Sequence, residues 1–285
     1  MLWLALPENI QGEKMKILYY PGCTLKTNAK DFEIAAIESF KEIGVELKEM
    51  ERWNCCGTVY SLATDNLMYH LAAIRNLIRV QEKGEKKVTT LCSVCYNTLK
   101  QANYMVRREE DKLQKINAFM DEEEDYKGEV EIIHPLEILN ERISEIKEKV
   151  KKPLNMKIAA YYGCLLLRPK EIAIDNFEKP SIMENLIEAL GGTAVDFPYK
   201  NECCGSYNVI DKEDVIVERT YKIISSAKKR GADAIITSCP LCYFNLSDMQ
   251  EKVKKKYPEF SSLPIYYFSE LMTMAFGIKM VKVRE

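Results

Sequence analysis

Short apolar runs alternate with longer amphipathic segments along this chain, and the alternation happens twice. Lys16 to Tyr20 is rich in β-type residues and predicts a strand. A helix is expected from about Asn28 to Ile43, then a strand from Val45 to Lys48. From about Asp65 to Gln81 the residues Leu67, Leu71, Ile74 and Ile78 fall on one face of a helix, with Asp65 as its N-cap. Strands follow at Val88 to Leu91 and Val130 to Ile133. A charged helical stretch, Glu141 to Lys152, then ends in Lys-Lys-Pro, a helix end and linker. Beyond it the strand pattern resumes at Lys157 to Tyr161, Thr193 to Phe197 and Ala234 to Thr237. Strands that alternate with helices build parallel sheets. The expected class is therefore α/β, with two tandem domains, each a small parallel sheet flanked by helices. The division falls near Pro153, giving domains 1–152 and 153–285, with 1–14 a possible N-terminal extension before a second start at Met15.

Ten cysteines make that repeat explicit. They stand at Cys23, Cys55, Cys56, Cys92 and Cys95, and again at Cys164, Cys203, Cys204, Cys239 and Cys242. Each set runs lone Cys, Cys-Cys pair, Cys-x-x-Cys, with gaps of 31 and 35 residues in the first half and 38 and 34 in the second. The flanks repeat as well. Tyr19-Tyr20-Pro21-Gly22-Cys23 answers Tyr161-Tyr162-Gly163-Cys164, and Asn54-Cys55-Cys56-Gly57 answers Glu202-Cys203-Cys204-Gly205. Cys92 to Leu99 answers Cys239 to Leu246 in the same way. Three matches in register mark a duplicated domain. Glu137 and Glu270 look equivalent, so the first half carries about fourteen extra residues, roughly 107–126, which include the acidic run Asp121 to Asp125. A solvated helix and loop is the plain reading of this insertion, and a partner contact the alternative.

Composition narrows the function. Lys and Arg number 41 against 43 Asp and Glu, a near-balance unlike that of a general nucleic-acid binder. No apolar run approaches the ~20 residues that span a bilayer. Residues Met1 to Leu6 are apolar but lack the basic flank and length of a signal peptide. These features point to the cytoplasm, where ten cysteines imply metal or redox chemistry rather than structural disulfides.

The strand pattern places Cys23, Cys92, Cys164 and Cys239 just past strand C-termini, the edge of an α/β sheet where ligands bind. Helix N-termini there favour a negative site and lower thiol pKa values. Zinc takes four ligands, as does an ordinary four-iron cluster, and each half offers five. Two consecutive cysteines suit neighbouring metal atoms better than one ion. Structural zinc, a thioredoxin-like Cys-x-x-Cys and plain buried cysteines are the competing readings, and the duplicated five-fold pattern weighs against each. Of the two histidines, His70 is read as packing, and His134, at the cysteine edge, as a candidate proton donor.

These motifs resemble the cysteine-rich CCG domain family across nearly the whole chain. With two complete motifs and no ferredoxin-type cysteine run, the chain is similar to the B subunits of methanogen heterodisulfide reductases. The resemblance implies a noncubane [4Fe-4S] cluster on each five-cysteine set, with the two clusters facing each other across a pseudo-twofold interface and forming the catalytic site. It implies as substrate the mixed disulfide of coenzyme M and coenzyme B. Reducing a disulfide takes two electrons and a cluster passes one at a time, so each cluster would supply one and hold one sulfur. The substrate's anionic ends make Lys26, Arg52, Arg168 and Lys200 candidate anchors. Partners implied are a ferredoxin-like C subunit and a flavin-containing A subunit, with a hydrogenase or formate dehydrogenase further out. Two alternatives stand beside this. One is an iron–sulfur subunit of a related oxidoreductase acting in lactate, glycolate, succinate or sulfur metabolism. The other is a non-catalytic electron-transfer or zinc-binding scaffold.

Overall fold

The computed structural model describes residues 15–58 and 66–279. The expected N-terminal extension and the Asp65 N-cap lie outside them. Strand β1 (Met15–Tyr19) runs into a short helix α1 (Gly22–Leu25), then α2 (Lys30–Glu42), β2 (Val45–Glu49) and α3 (Leu71–Glu82). A 3-10 turn at Leu67–His70 precedes α3, and Asn66 caps it by accepting from the Met68 amide at 3.0 Å. There follow β3 (Lys87–Thr89), α4 (Ser93–Arg108), α5 (Glu110–Phe119), β4 (Glu131–Ile133), α6 (Pro135–Glu141) and α7 (Ile143–Lys149). The second half comprises β5 (Lys157–Ala160), α8 (Ile182–Ala189), β6 (Thr193–Val195), α9 (Glu213–Lys229) and β7 (Ala234–Thr237). It ends with α10 (Pro240–Ser247), α11 (Gln250–Lys256), β8 (Ile265–Tyr267) and α12 (Phe268–Phe276).

The strands form two four-stranded sheets of identical topology, β2-β1-β3-β4 and β6-β5-β7-β8, all parallel. The α/β class expected from the alternating pattern is therefore observed, in both halves. Several strands are shorter than their apolar runs. β3 stops at Thr89 rather than Leu91, because the carbonyl of Thr89 accepts from the Tyr20 amide at 2.8 Å as the last ladder bond, and Cys92 then caps α4.

The halves share one apolar core. Phe32 of α2 stacks on Tyr267 at 4.1 Å and meets Phe268 edge-on at 5.4 Å. Ser269 Oγ donates to the Phe32 carbonyl at 3.1 Å. Asn97 Nδ2 donates to the carbonyls of Leu165 and Arg168, each at 2.7 Å, and Tyr96 Oη to that of Ile172 at 2.8 Å. Each fully buried aromatic here contributes ~1.5–3 kcal/mol, so the two sheets are held at one mutual setting.

The extra residues of the first half fall between Asn103 and Val130. α10 and α11 together match the single helix α4, and Gln250 donates to the Leu263 carbonyl at 2.8 Å as Asn103 does to that of Val130 at 2.7 Å, so the addition comprises α5 and the acidic run rather than a longer α4. The acidic run is not a free loop. Glu123 pairs with Arg75 of α3 at 2.6 Å, and Gln81 donates to the Asp125 carbonyl at 2.9 Å, which straps the segment back onto α3.

Candidate functional site

Every cysteine lies at the C-terminal edge of its sheet. Cys92 and Cys239 are the N-caps of α4 and α10, and Cys95 and Cys242 sit one turn into those helices. Cys23 follows β1 inside α1, and Cys164 follows β5. The Cys-Cys pairs arrive on the loops that leave β2 and β6. Within the first set, Cys56 lies in hydrogen-bonding reach of Cys55 and Cys95, and Cys95 of Cys92. Cys23 is exposed at the rim, beside Thr24 at 3.8 Å. In the second set all five are linked side by side: Cys164 to Cys203, Cys203 to Cys204, Cys204 to Cys242, and Cys242 to Cys239.

Such contacts sort the protons. Cys56 accepts from Cys55 and Cys95, and Cys203 from Cys164 and Cys204, so both thiols are held well below their ordinary range. Cys55 and Cys164, as the donors, are pushed up. The Gly205 amide adds an N–H aimed at Cys203 Sγ at 3.4 Å, and Arg219 donates to the Cys203 carbonyl at 2.9 Å and to Glu202 at 2.6 Å. Asn245 Nδ2 donates to Cys204 Sγ at 3.3 Å. Thr98, the equivalent third residue after the Cys-x-x-Cys, reaches Cys56. Donors aimed at sulfur stabilise thiolates.

Space around the sulfurs is equally specified. A Cβ on Gly22 (φ +71°) would lie 2.8 Å from Cys95 Sγ, and one on Gly163 (φ +65°) 3.1 Å from Cys242 Sγ. The adjoining tyrosines correct the register of the repeat. Tyr20 donates to the Asn54 carbonyl at 2.7 Å and Tyr161 to the Glu202 carbonyl at 2.7 Å, each just before a Cys-Cys pair. Tyr20 is therefore the counterpart of Tyr161, not of Tyr162, and Pro21 stands where Tyr162 does. Glu137 and Glu270 are equivalent as expected: each carboxylate accepts the N-cap amide of its helix, from His134 at 2.5 Å and from Tyr267 at 2.8 Å.

A cavity of about 650 Å³ opens on the first set. Cys23, Cys56, Cys92 and Cys95 form one wall, and Tyr207, Tyr243 and Tyr267 of the second half form another. Tyr243 stacks on Tyr267 at 4.4 Å, extending the Phe32 stack. A second, much smaller cavity of about 10 Å³ is lined by all five second-set cysteines and by Ser93 of the first half. Each set is thus completed by residues of the other half. Among the described residues no three His, Cys, Asp or Glu side chains converge as a single ion would require. The donor set in each half is five thiols with no imidazole or carboxylate. That suits a sulfur-rich group of several metal atoms better than one tetrahedral ion.

The cationic candidates are not at these cavities. Lys26 pairs with Glu33 at 2.9 Å and Glu49 at 2.6 Å. Lys200 pairs with Glu184 at 2.9 Å and Asp196 at 3.0 Å. Arg52 faces Glu82 at 4.0 Å in a separate charged pocket, and Arg168 is exposed. Their nearness in sequence to the cysteines carries them past the strand edge and away from the cavity. Lys30, on the first turn of α2, is the one cation among the described residues lining the larger cavity. Its only signal in the sequence is its place seven residues after Cys23. His134 lines neither cavity. It is fully buried between the halves, its Nδ1 accepting from the Leu136 amide at 3.2 Å and its Nε2 2.9 Å from Ser238 Oγ. Burial pushes its pKa down to about 3, so the ring is neutral. His70 is buried, as packing requires.

Known proteins resemble this chain along most of its length. The sequence profile of the cysteine-rich domain CCG matches residues 17–100 and again 158–247. The 8-methylmenaquinol:fumarate reductase membrane anchor subunit of Wolinella succinogenes is 34% identical over 270 residues, covering 91% of this chain and 92% of its own. The B subunit of the ferredoxin:CoB-CoM heterodisulfide reductase of Methanosarcina mazei is 27% identical over 271 residues, covering 92% and 89%. Among solved structures, a hypothetical protein from Helicobacter pylori superposes with a TM-score of 0.71 at 14% identity, over 94% of this chain and 51% of that one, a likeness of fold alone. Two profile matches on the two halves, and relatives aligned along almost their full length, make this chain a member of the cysteine-rich CCG domain family.

Proposed function

We propose that the chain is the catalytic iron–sulfur subunit of a heterodisulfide reductase, cleaving the mixed disulfide of coenzyme M and coenzyme B into two thiols. The observation that carries this reading is the pairing of two five-cysteine sets across one interface, each facing a cavity lined in part by residues of the opposite half. Cys23, Cys55, Cys56, Cys92 and Cys95 would hold one noncubane [4Fe-4S] cluster, and Cys164, Cys203, Cys204, Cys239 and Cys242 a second. Such clusters, when bound, supply electrons singly, and one disulfide consumes two electrons and two protons. The chain's own part is positional. Thr98 and Asn245 direct donors at sulfur, Gly22 and Gly163 leave room beside it, and Tyr207, Tyr243 and Tyr267 wall the cavity over the first set. Lys30 is the residue placed to meet an anionic end of the substrate. Electrons would come from a ferredoxin-like C subunit fed by a flavin-containing A subunit, with a hydrogenase or formate dehydrogenase beyond, in the cytoplasm. The domains are taken as 1–152 and 153–285.

A second reading is favoured by the 34% identity to a fumarate reductase anchor subunit. There the chain would relay electrons between a quinol and a fumarate-reducing partner. No described helix is long and apolar enough to cross a membrane. Anaerobic purification with iron and sulfide analysis, followed by assay with a reduced dye and the mixed disulfide, separates the readings. About eight irons per chain with thiol release supports the first. The same iron content without disulfide cleavage, but with electron transfer from a menaquinol analogue to a fumarate-reducing partner, supports the second. Zinc in place of iron overturns both.

A further inference from the structure

Between the two cysteine sets runs a buried hydrogen-bonded bridge whose direction can be assigned atom by atom. His134 Nδ1 accepts from the Leu136 amide, so the ring proton is on Nε2. Nε2–H points at Ser238 Oγ, 2.9 Å away, and at the Leu91 carbonyl, 3.3 Å away. Ser93 Oγ donates to Ser238 Oγ at 3.3 Å, and Ser238 in turn donates to the Leu91 carbonyl at 3.3 Å. All three side chains are essentially inaccessible to solvent. Leu91 and Ser93 flank Cys92 of the first set, and Ser238 immediately precedes Cys239 of the second. The bridge therefore fastens the N-cap of α4 to the N-cap of α10 across the interface, with His134 as the donor supplied from a third element, the end of β4.

We propose that His134 is a positioning residue that, through Ser238 and Ser93, locks the two cysteine sets at one mutual spacing. The other contacts between the sheets, the Phe32 stack and the Ser269, Asn97 and Tyr96 hydrogen bonds, do not join the turn at Cys92 to the turn at Cys239. The bridge does, and it resists displacement because a moved donor leaves buried partners unsatisfied. The neutral state of the ring suits the role, since a neutral imidazole can donate at Nε2 while accepting at Nδ1. The ring is held in place edge-on to Tyr96 at 5.5 Å, and Tyr96 itself donates across the interface to the Ile172 carbonyl. This inference concerns the chain's own residues; its use to the protein rests on the two-cluster reading above, since two redox groups acting on one bond need a fixed separation.

The test compares His134→Gln, whose amide N–H can stand near Nε2, with His134→Phe, which keeps ring volume and loses both nitrogens. The full chain as purified is followed by amide hydrogen exchange with mass spectrometry. In His134→Phe, exchange should quicken at least tenfold both at residues 91–95 and, across the interface, at 237–242, while His134→Gln stays within about twofold of the unmodified chain. Ser238→Ala should quicken 91–95 in the opposite half. In iron-loaded protein, the dipolar distance between the two paramagnetic groups should broaden in His134→Phe at unchanged iron content and recover in His134→Gln. Faster exchange confined to residues 134–141 overturns the proposal, as does failure of the Gln variant to rescue. Absence of iron in the unmodified chain would defeat the cluster reading and leave the exchange result to decide the bridge.

Discussion

Gly22→Ala tests the site through a single added methyl group. At φ +71° an alanine carries the left-handed backbone cost of roughly 1–2 kcal/mol. Its Cβ would also stand 2.8 Å from Cys95 Sγ, a contact that forces the buried cysteine to move. Overpacking of this kind adds ~1–3 kcal/mol. The two contributions can be separated, because Gly84 has nearly the same backbone angle, φ +69°, and nothing within 4 Å of an added Cβ. Gly84→Ala should cost only the backbone part, about 1–2 kcal/mol, and Gly22→Ala about 2–5 kcal/mol in all. Urea unfolding of both variants gives the difference, and iron analysis gives its location. Gly22→Ala should lose about half the bound iron, that of the first set, while Gly84→Ala keeps all of it. Equal destabilisation of the two variants with full iron retained in both would show that the space beside Cys95 is not reserved for anything.

Cys55→Ser and Cys203→Ser should each remove about half the iron and nearly all disulfide turnover, since serine is a harder and poorer iron ligand; iron loss in Cys203→Ser with substantial turnover would make the second set structural. Tyr161→Phe should destabilise by about 1–3 kcal/mol by leaving the Glu202 carbonyl without its donor, and Tyr20→Phe by less in thermal unfolding, because Asn76 Nδ2 still donates to the Asn54 carbonyl at 3.0 Å. His134 gives a pH dependence. Its folded pKa, about 3, lies below its ordinary 6.5, so the unfolded chain alone binds a proton as pH falls through 6.5, and stability present above that pH is lost on acidification. Between pH 7 and 5 this site alone should remove ~2 kcal/mol of stability, measured by urea unfolding, and His134→Gln should remove that part of the slope.

The architecture is legible in the sequence because each half repeats one strand order and because buried parallel strands read as apolar runs. The cysteine arrangement is legible for the same reason: five residues spread over more than seventy positions converge only if strand ends gather them. Three things are not. Adjacent tyrosines offer two equally good alignments of the repeat, and only the hydrogen bonds to Asn54 and Glu202 decide between them. Lys26, Arg52 and Lys200 look like anchors because they neighbour cysteines in sequence, yet each lies beside a carboxylate from another element, Glu49, Glu82 or Glu184, that no local pattern reveals. Lys30 reaches the cavity because α2 packs against the second half at Phe32, a tertiary fact with no local signature.

What the repeat shares and what it does not share divide along physical lines. Residues that shape each site recur: Gly22 with Gly163, Tyr20 with Tyr161, Glu137 with Glu270, and Thr98 with Asn245 as donors toward sulfur. Apart from Tyr96, whose counterpart is Tyr243, the residues that hydrogen-bond across the halves do not recur. His134 occupies the position of Tyr267, Asn97 that of Phe244, and Ser93 that of Pro240. A contact near a pseudo-twofold axis brings one position against the surroundings of its own counterpart, so two identical side chains there would compete for one space and one set of partners. The first half places hydrogen-bonding groups at these positions, and the second places rings and a proline. Polar donors on one side then meet backbone carbonyls of the other, as Asn97 does at Leu165 and Arg168, while the rings of Tyr267 and Phe244 are left to line the cavity over the first set. The difference between the halves follows from their packing on each other, and it leaves a large aromatic-walled cavity over one cysteine set and a small one over the other.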